Sequence, residues 1–265
     1  MRKELKNFFP KKSLGQNFLL NEKILDKIVS FCNLKKDDVA VEIGSGIGNL
    51  TKKLAKKAKK VFAIEKDERL VKILARELGN QKNIKIIQGD ILKINLKKLG
   101  VKKGYKVVGN LPYRIAKKVI QKFLNEKPKP ELMVVMVQKE VAKKICAKEG
   151  KLNILGAILQ MISKPKIKMI VKKENFWPKP KVDGAILEIK PKNKRLEIHF
   201  LKVLKAGFSQ PRKTIKNNLK KIFGKKVTQV LESLNIDPNL RPQELKLTSW
   251  EKLAKFFAKN NVNKK

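Results

Sequence analysis

Short apolar runs alternate with amphipathic stretches along the first 190 residues of the chain. The apolar runs have the length of β-strands, whereas the stretches between them place apolar residues three or four positions apart, as helices do. Strands separated by helices favour right-handed crossovers and a mainly parallel sheet covered on both faces. The seven predicted strands are residues 39–43, 61–64, 84–87, 105–108, 132–137, 167–171 and 185–189. The expected fold class is therefore α/β, with a mainly parallel seven-stranded sheet.

The connecting helices follow the same pattern. A first amphipathic helix is predicted after Asn21, whose side chain suits an N-cap position. Further helices are predicted near residues 49–59, 67–79, 114–125, 138–149 and 152–162. The last two strands are joined through the proline-rich segment 176–180, and we expect an antiparallel pair to close the sheet.

Strand signals cease after Pro191, and helices take over. They are predicted near residues 197–208, 213–223, 226–234 and 249–259. We therefore expect two domains, an α/β domain over residues 1–190 and a small all-α domain over 191–265. Residues 1–20 are expected to form an ordered N-terminal arm, because 11–19 mix small, amide and apolar residues without a regular period. Residues 260–265 are expected to fray.

The charge balance of the chain indicates the kind of partner that it binds. The chain has 65 Lys and Arg residues against 23 Asp and Glu, a formal net charge of +42. Solubility does not require so large an excess, and it indicates a polyanionic partner. A lysine-rich surface of the thermophile type is the alternative, but such surfaces usually carry matching glutamates. Nucleic acid is the favoured partner.

Cysteine and histidine are scarce. Cys32 and Cys146 cannot form a disulfide framework, and with His199 as the single histidine there is no zinc cluster to assemble. No apolar run approaches the ~20 residues of a membrane span, and the basic start of the chain lacks the apolar region of an export signal. We expect a cytoplasmic protein without a metal or a membrane partner, acting as a monomer.

A glycine-rich turn follows the first predicted strand and opens a helix. Residues 42–49 place glycines at 44, 46 and 48, where the backbone can turn tightly and approach a ligand. The dinucleotide fingerprint requires its third glycine at the position that Asn49 occupies. The spacing found here is the one seen in binding sites for S-adenosylmethionine (AdoMet), with Gly44 and Gly46 as candidate contacts.

Acidic residues at later strand ends support this interpretation. Glu65 ends the second predicted strand, where a carboxylate can accept hydrogen bonds from both ribose hydroxyls of a nucleoside. Asp90 follows the third strand and can accept from an adenine amine. Open parallel sheets bind ligands at the carboxyl edge of their strands, so these acids and the glycine turn favour one AdoMet site. Asp67 is predicted to be a helix cap.

The fourth predicted strand runs into Asn110, Leu111, Pro112 and Tyr113. Leu111 precedes a proline and is therefore biased toward extended geometry, which leaves its carbonyl available to a ligand. Asn110 adds an amide oxygen and Tyr113 a flat ring, a set suited to a planar amine such as that of adenine. If the Asn110 and Leu111 oxygens accept hydrogen bonds from both N–H groups of the amine, its nitrogen can become pyramidal and direct its lone pair at a methyl donor. Positioning and electrostatic stabilisation would then dominate catalysis.

Seven segments together resemble the ribosomal RNA adenine dimethyltransferases, in that family's order. They are residues 12–19, 42–51, 110–113, 138–140, 176–183, 212–219 and 241–245. The last of them resembles the small-subunit branch of the family. The resemblance implies a Rossmann-like class I AdoMet-dependent methyltransferase. It also implies dimethylation of the 6-amino group of two adjacent adenosines near the 3′ end of small-subunit ribosomal RNA, on immature small subunits during ribosome biogenesis.

The resemblance also assigns roles by position. It implies AdoMet contacts at Asn17, Leu19, Gly44, Glu65, Asp90 and Asn110. It makes Phe176 a second aromatic residue that would hold the target base opposite Tyr113. A core position beside Trp177 is the alternative for Phe176. Phosphate-binding candidates are Arg114, Lys139, Arg212 and Lys213.

The chain departs from the family pattern at three places. Gly184 stands where serine is usual, Pro211 replaces a basic residue, and Lys143 and Lys144 follow where an arginine is common. Two other functions stay open at this point. The chain can be a non-catalytic RNA-binding assembly factor with a methyltransferase fold, or an enzyme of the same chemistry acting on another RNA or on DNA.

Overall fold

The computed structural model describes residues 8–262, and contacts between residues divide them into two units. The first unit comprises the described residues up to Ala142 together with Lys164–Pro191, and the second comprises Lys143–Ser163 together with those from Lys192 onward. The first seven residues of the predicted arm and the last three residues of the predicted frayed end lie outside the described residues. A domain boundary near residue 190 stays a prediction. Because residues 143–163 group with the second unit, the chain passes between the two units three times.

Nine strands are present in the described chain. They are β1 (Phe18–Leu19), β2 (Val39–Ile43), β3 (Lys60–Glu65), β4 (Ile84–Gln88), β5 (Lys106–Asn110), β6 (Leu132–Gln138), β7 (Ser163–Val171), β8 (Phe176–Trp177) and β9 (Gly184–Pro191). Seven of them form one sheet in the order β4-β3-β2-β5-β6-β9-β7. The pairs from β4 to β6 are parallel, and β9 is antiparallel to β6. The predicted fold class is confirmed.

Two features of the strands differ from the sequence prediction. β7 begins at Ser163, four residues before the predicted start. Its first half is polar and includes Pro165, so it shows no apolar run that would predict a strand. β7 lies on an edge of the sheet, where proline is tolerated. The second feature is a separate two-stranded ribbon in which β1 pairs antiparallel with β8. Each of these strands has only two residues, too few to show an alternating pattern.

Ten α-helices occupy the described residues. They are α1 (Glu22–Phe31), α2 (Asn49–Ala55), α3 (Glu68–Leu78), α4 (Ala116–Asn125), α5 (Lys139–Ile145), α6 (Ile154–Ile162), α7 (Ile198–Gly207), α8 (Ile215–Phe223), α9 (Val227–Ser233) and α10 (Leu247–Val262). Asn21 caps α1 as predicted, accepting from the backbone N–H of Ile24. α2 ends earlier than predicted, because Asn83 donates to the carbonyls of Ala55 and Ala58. Within the described part of the chain, none of the helices is long and apolar enough to span a membrane.

Each unit has its own core. In the first unit, the central strands β2, β3, β5 and β6 are buried along nearly their whole length, as expected of strands covered on both faces. In the second unit, the indole ring of Trp250 is fully buried and stacks on Phe208, with ring centroids 5.2 Å apart. A Cβ at Gly207 would lie 2.3 Å from the same indole, so close packing of α7 on α10 requires glycine there.

Candidate active site

A cavity of about 410 Å³ opens at the carboxyl ends of β2, β3, β4 and β5, within the first unit. This volume is in the range of small-molecule sites. The arm closes one side of the cavity. The predicted site residues on the cavity wall are Asn17, Leu19, Gly44, Gly46, Glu65, Asp90, Asn110, Leu111, Pro112, Tyr113 and Arg114. The remaining predicted residues, Phe176, Lys139, Arg212 and Lys213, do not line it.

The glycine turn presents backbone to this cavity. Gly44, Gly46 and Gly48 all have positive φ angles, of 70°, 58° and 84°, which L side chains rarely adopt. A Cβ at Gly48 would lie 2.7 Å from the Leu78 side chain, so this glycine serves the packing of the turn against α3. A Cβ at Gly46 would instead lie 3.3 Å from the Phe18 ring, inside the space between the turn and the arm. A side chain at Gly46 would therefore crowd the Phe18 ring on the cavity wall.

Glu65, at the end of β3, is held by backbone donors. Its Oε2 accepts from the N–H of Gly46 at 3.0 Å, and its Oε1 accepts from Lys66 and Asp67 at 2.7 and 2.9 Å. Burial raises the pKa of Glu65, and these three hydrogen bonds oppose the rise. A carboxylate has about four acceptor positions, so Glu65 is fixed in orientation and can still accept from a ligand hydroxyl.

Asp90, after β4, keeps its negative charge. Lys66 donates to its Oδ2 at 2.9 Å, and the N–H of Leu92 donates to its Oδ1 at 3.0 Å. The Lys66 ammonium lowers the pKa of Asp90, with help from the Leu92 hydrogen bond. Asp90 is thus an ionised acceptor on the cavity wall, suited to a ligand amine.

Glu42 is a cavity residue that the sequence prediction did not assign. It lies in β2, is fully buried, and accepts from the Thr51 hydroxyl at 2.6 Å. Burial raises its pKa to about 8, against the opposing hydrogen bonds from Thr51 and Ser45. A glutamate inside an otherwise apolar strand is the signal that could have found it, because an acid is rarely fully buried without a partner.

Asn49 is a second unassigned residue on the cavity wall. It begins α2, is 8% exposed, and its Oδ1 is buried without a hydrogen-bond partner among the described residues. Buried acceptors without a partner are rare in native proteins, and a bound ligand can supply the missing donor. The sequence signal was a polar residue directly after the glycine turn.

Asn110 ends β5 beside the glycine turn. Its side-chain Nδ2 donates to the backbone carbonyl of Asn17 at 2.7 Å, which fixes the orientation of the amide. The amide oxygen is therefore left as an acceptor. Leu111 donates its N–H to the carbonyl of Met136 at 3.1 Å, and the Pro112 carbonyl accepts from the first turn that leads into α4. Leu111 thus bonds to β6 as the preceding strand does, whereas Tyr113 already lies in the turn that leads into α4, so the predicted extended geometry does not include Tyr113.

Tyr113 and Phe176 meet at Gly184. A Cβ at Gly184 would lie 3.4 Å from the Tyr113 hydroxyl and 3.3 Å from Phe176 Cζ. The Tyr113 hydroxyl has no hydrogen-bond partner among the described residues, and burial raises its pKa to about 12. Phe176 is 5% exposed and packs in the core with Leu19 and Ile186. Phe176 would have to leave this core position to stack on a base, so its predicted role stays a prediction.

Two of the predicted phosphate-binding residues belong to the first unit. Arg114 is exposed at the cavity and donates to the Ser13 carbonyl at 3.3 Å. Lys139 lies away from the cavity wall and pairs with Asp183 at 3.4 Å. Arg114 therefore faces the arm and the solvent at the mouth of the cavity, whereas Lys139 is already partly neutralised.

The other two, Arg212 and Lys213, belong to the second unit. Both are exposed on the loop that precedes α8. The buried side chain of Asn218 holds this loop: its Oδ1 accepts from Ser209 and Gln210, and its Nδ2 donates to three loop carbonyls. Two cations on a loop fixed by five hydrogen bonds are suited to binding a phosphate backbone.

Known proteins resemble this chain over nearly its whole length. The family model for ribosomal RNA adenine dimethylase matches residues 7–259. A protein from Dehalococcoides mccartyi named Ribosomal RNA small subunit methyltransferase A is 39% identical over 259 residues, covering 94% of this chain and 89% of its own. The protein of the same name from Ligilactobacillus salivarius is 38% identical over 271 residues, covering 96% and 92%.

Two solved structures share the fold. The crystal structure of a dimethyladenosine transferase from Plasmodium falciparum has a TM-score of 0.78 and 28% identity, covering 92% of this chain and 98% of its own. That of the 23S rRNA methyltransferase ErmE has a TM-score of 0.75 and 25% identity, covering 91% and 99%. Both matches extend well beyond the first unit.

Proposed function

The chain belongs to the ribosomal RNA adenine dimethylase family, and from that premise we propose that it dimethylates two adjacent adenosines near the 3′ end of small-subunit ribosomal RNA. It is an rRNA adenine methyltransferase with AdoMet as methyl donor. The observation that carries the proposal is the Asn110 amide, held by Asn17 at the carboxyl edge of the sheet beside the glycine turn. That edge is where open parallel sheets bind their ligands.

The cavity fits AdoMet in its donor and acceptor groups. Glu65 is the proposed acceptor for the ribose hydroxyls, and Asp90 is the proposed acceptor for the adenine amine. Asn49 has a buried oxygen in need of a donor, which the ammonium of the methionine part can provide. Asn17, Leu19, Gly44 and Gly46 complete the proposed contacts. When bound, AdoMet supplies an electrophilic methyl group on a sulfonium sulfur. The sulfur leaves as a neutral thioether, so the transfer needs no metal.

The catalytic roles proposed for this chain are positioning roles. Asn110 Oδ1 and the Leu111 carbonyl accept hydrogen bonds from the two N–H groups of the adenine amine, so that the nitrogen can direct its lone pair toward the methyl group. Methylation makes this nitrogen cationic and acidic, and one of its protons is then lost to solvent. Pro112 keeps Leu111 extended, and Tyr113 stacks on the base, with Phe176 as a second aromatic wall. Because the pKa of Tyr113 is raised to about 12, its hydroxyl stays neutral at physiological pH and does not act as a base. Developing positive charge is stabilised by the accepting oxygens.

The RNA is proposed to bind through its phosphates. Arg114 at the cavity mouth and Arg212 and Lys213 on the α8 loop are the candidate contacts, with Lys139 as a further one. The net charge of +42 supports this binding mode. Raising the salt concentration should weaken RNA binding steeply, and a flat response would contradict a phosphate-dominated interface.

The substrate is proposed to be the immature small subunit. Relatives named for the small subunit are 35–39% identical to this chain, whereas the 23S rRNA methyltransferase ErmE is 25% identical. An enzyme that acts on assembling subunits works in the cytoplasm, where we place it as a monomer. The proposed domain arrangement is an AdoMet domain over 1–190 and a helical RNA-binding domain over 191–265.

The test is methyl transfer with both candidate substrates. The protein is incubated with labelled AdoMet and either immature small subunits or large-subunit rRNA, and nucleosides are separated by mass spectrometry. Dimethyladenosine in the small-subunit rRNA alone is expected. Asn110→Ala should lose this product, since its amide contacts are gone. Product in the large-subunit rRNA alone would replace the proposed substrate, and a fully active Asn110→Ala would remove the proposed mechanism.

A further inference from the structure

Asp67 makes more contacts than a helix cap requires. As predicted, it caps α3, its Oδ1 accepting from the N–H of Arg69 at 3.1 Å. Its two oxygens also accept from the Arg69 guanidinium, at 3.0 Å from Nε and 2.6 Å from Nη2. The Asp67 side chain is 2% exposed, and the Arg69 hydrogen bonds lower its pKa to about 2. Asp67 and Arg69, the anchor pair, therefore form a bidentate ion pair, with Asp67 buried and Arg69 partly exposed, where a cap needs a single accepted hydrogen bond.

The arm is attached to the anchor pair at two places. Gln16 Nε2 donates to Asp67 Oδ2 at 2.8 Å, and Gln16 Oε1 accepts from the N–H of Lys11 at 2.7 Å. Arg69 Nη1 donates to the Phe9 carbonyl at 3.2 Å, and its guanidinium lies 4.6 Å from the centroid of the Phe8 ring. Both ends of residues 8–16 thus contact the same ion pair.

The anchor pair also connects the two functional parts of the cavity. The N–H of Asp67 donates to Glu65 Oε1 at 2.9 Å, on the side of the proposed ribose acceptor. On the other side, the arm continues from Gln16 to Asn17, whose carbonyl accepts from the Asn110 amide at 2.7 Å. Residues 13–19 of the arm form part of the cavity wall. The position of Asn17 relative to Asn110 therefore depends on where the arm is held.

We propose that Asp67 and Arg69 are positioning residues that hold the arm against the AdoMet cavity and so keep the Asn17 carbonyl in place for Asn110. The proposal rests on the proposed function of this cavity as the methyl-donor site. Neither residue touches the reacting atoms, and their effect passes through Gln16, Phe9 and the arm backbone. Without the anchor pair, the arm keeps its contacts to β8, Pro112, Arg114 and Asn110, and the packing of Phe8 and Phe18 against Ile47 and Leu70. Binding AdoMet would then also have to order residues 8–17, which lowers its affinity.

The test separates the anchor from the cap by Asp67→Ser. Serine is as good an N-cap as aspartate, so α3 keeps its cap, but serine cannot pair with Arg69 in bidentate fashion or accept from Gln16 as well. Hydrogen exchange of the Lys11 and Leu14 amides, both hydrogen-bonded within the arm, is measured without AdoMet or RNA. We expect exchange at least about tenfold faster in Asp67→Ser, and a Kd for AdoMet about tenfold higher by calorimetry.

The matched control is Glu68→Ala. Glu68 is the first residue of α3, directly after Asp67, and its exposed side chain pairs with Lys72 at 2.8 Å. It should leave the arm exchange and the AdoMet Kd unchanged. Wild-type exchange at Lys11 and Leu14 in Asp67→Ser would overturn the proposal, and so would an equal acceleration in Glu68→Ala. Because the exchange measurement needs no ligand, it still tests the anchor pair if the wild-type protein transfers no methyl group, a failure that belongs to the proposed function alone.

Discussion

The side-chain amide of Asn110 donates a 2.7 Å hydrogen bond to the backbone carbonyl of Asn17, 93 residues earlier in the chain. This contact joins the end of β5 to the arm across the mouth of the cavity. It uses the amide nitrogen, so the amide oxygen is the group left free to accept a hydrogen bond. One hydrogen bond therefore decides which end of the Asn110 amide takes part in the proposed chemistry.

Asn110→Asp tests that orientation with an isosteric change. Aspartate cannot donate to the Asn17 carbonyl, and its charge would repel that oxygen. We expect the single-turnover rate of methyl transfer to fall about tenfold to hundredfold. This loss is equivalent to ~1–3 kcal/mol, the free energy expected for the loss of one buried hydrogen bond. The measurement is product formation at saturating RNA and AdoMet. A wild-type rate in Asn110→Asp would show that the Asn17 contact does not orient the amide.

Glu42 should make folding stability depend on pH. Its pKa is raised from 4.5 when unfolded to about 8 when folded, so its contribution to stability is fully present below pH 4.5 and is lost as the pH rises toward 8. Glu42→Gln removes this titration. The free energy of unfolding in urea should therefore shift in favour of the variant between about pH 5 and pH 8, with no further shift above that range. A difference that stays constant over this pH range would contradict the raised pKa of the buried Glu42 carboxyl.

Phe176→Leu separates a base-stacking role from a core role. Leucine retains an apolar side chain in the core but offers no ring to an adenine. We expect kcat/KM for RNA to fall about tenfold, with the AdoMet Kd unchanged, because base stacking is worth about 1–3 kcal/mol. Phe123→Leu, at another buried phenylalanine of the same unit, is the matched control. Equal losses in both variants would assign Phe176 to the core alone.

Asn218→Leu tests whether the α8 loop binds RNA. The change removes all five side-chain hydrogen bonds that fix Ser209–Thr214, so Arg212 and Lys213 lose their fixed positions. RNA affinity should fall about as far as in the double variant Arg212→Ala with Lys213→Ala, while AdoMet affinity is retained. Asn217→Ala, at the exposed neighbouring position, should bind RNA as the wild type does. Filter binding at fixed salt measures all three. Wild-type RNA affinity in Asn218→Leu would exclude the loop from the interface.

Much of the fold follows from local pattern. The central strands are buried on both faces and so appear as continuous apolar runs, and the glycine turn and strand-end acids follow them at predictable positions. The β1–β8 ribbon was missed because two-residue strands show no period and pair across more than 150 residues. The grouping of 143–163 with the helical unit also depends on tertiary contacts that spacing does not reveal.

Some features of the candidate site could likewise be predicted from the sequence, whereas others depend on tertiary contacts. The proposed ligand contacts stand in short motifs, so the sequence placed Glu65, Asp90 and Asn110 on what proved to be one cavity wall. Asp67 was predicted only as a cap, because its bonds to Gln16 come from the fold and leave no trace in local spacing. Phe176 shows the reverse: its motif suggested a base-binding role, whereas its position in the core is a tertiary property.

The most direct measurement is a mass-spectrometric map of modified adenosines in small-subunit rRNA from a strain that lacks this protein. We predict that two adjacent adenosines near the 3′ end are unmethylated in that strain. The wild-type gene should restore dimethyladenosine at both positions, and Asn110→Ala should restore it at neither. Fully dimethylated adenosines in the deletion strain would contradict the proposed activity, and full restoration by Asn110→Ala would contradict the proposed role of Asn110.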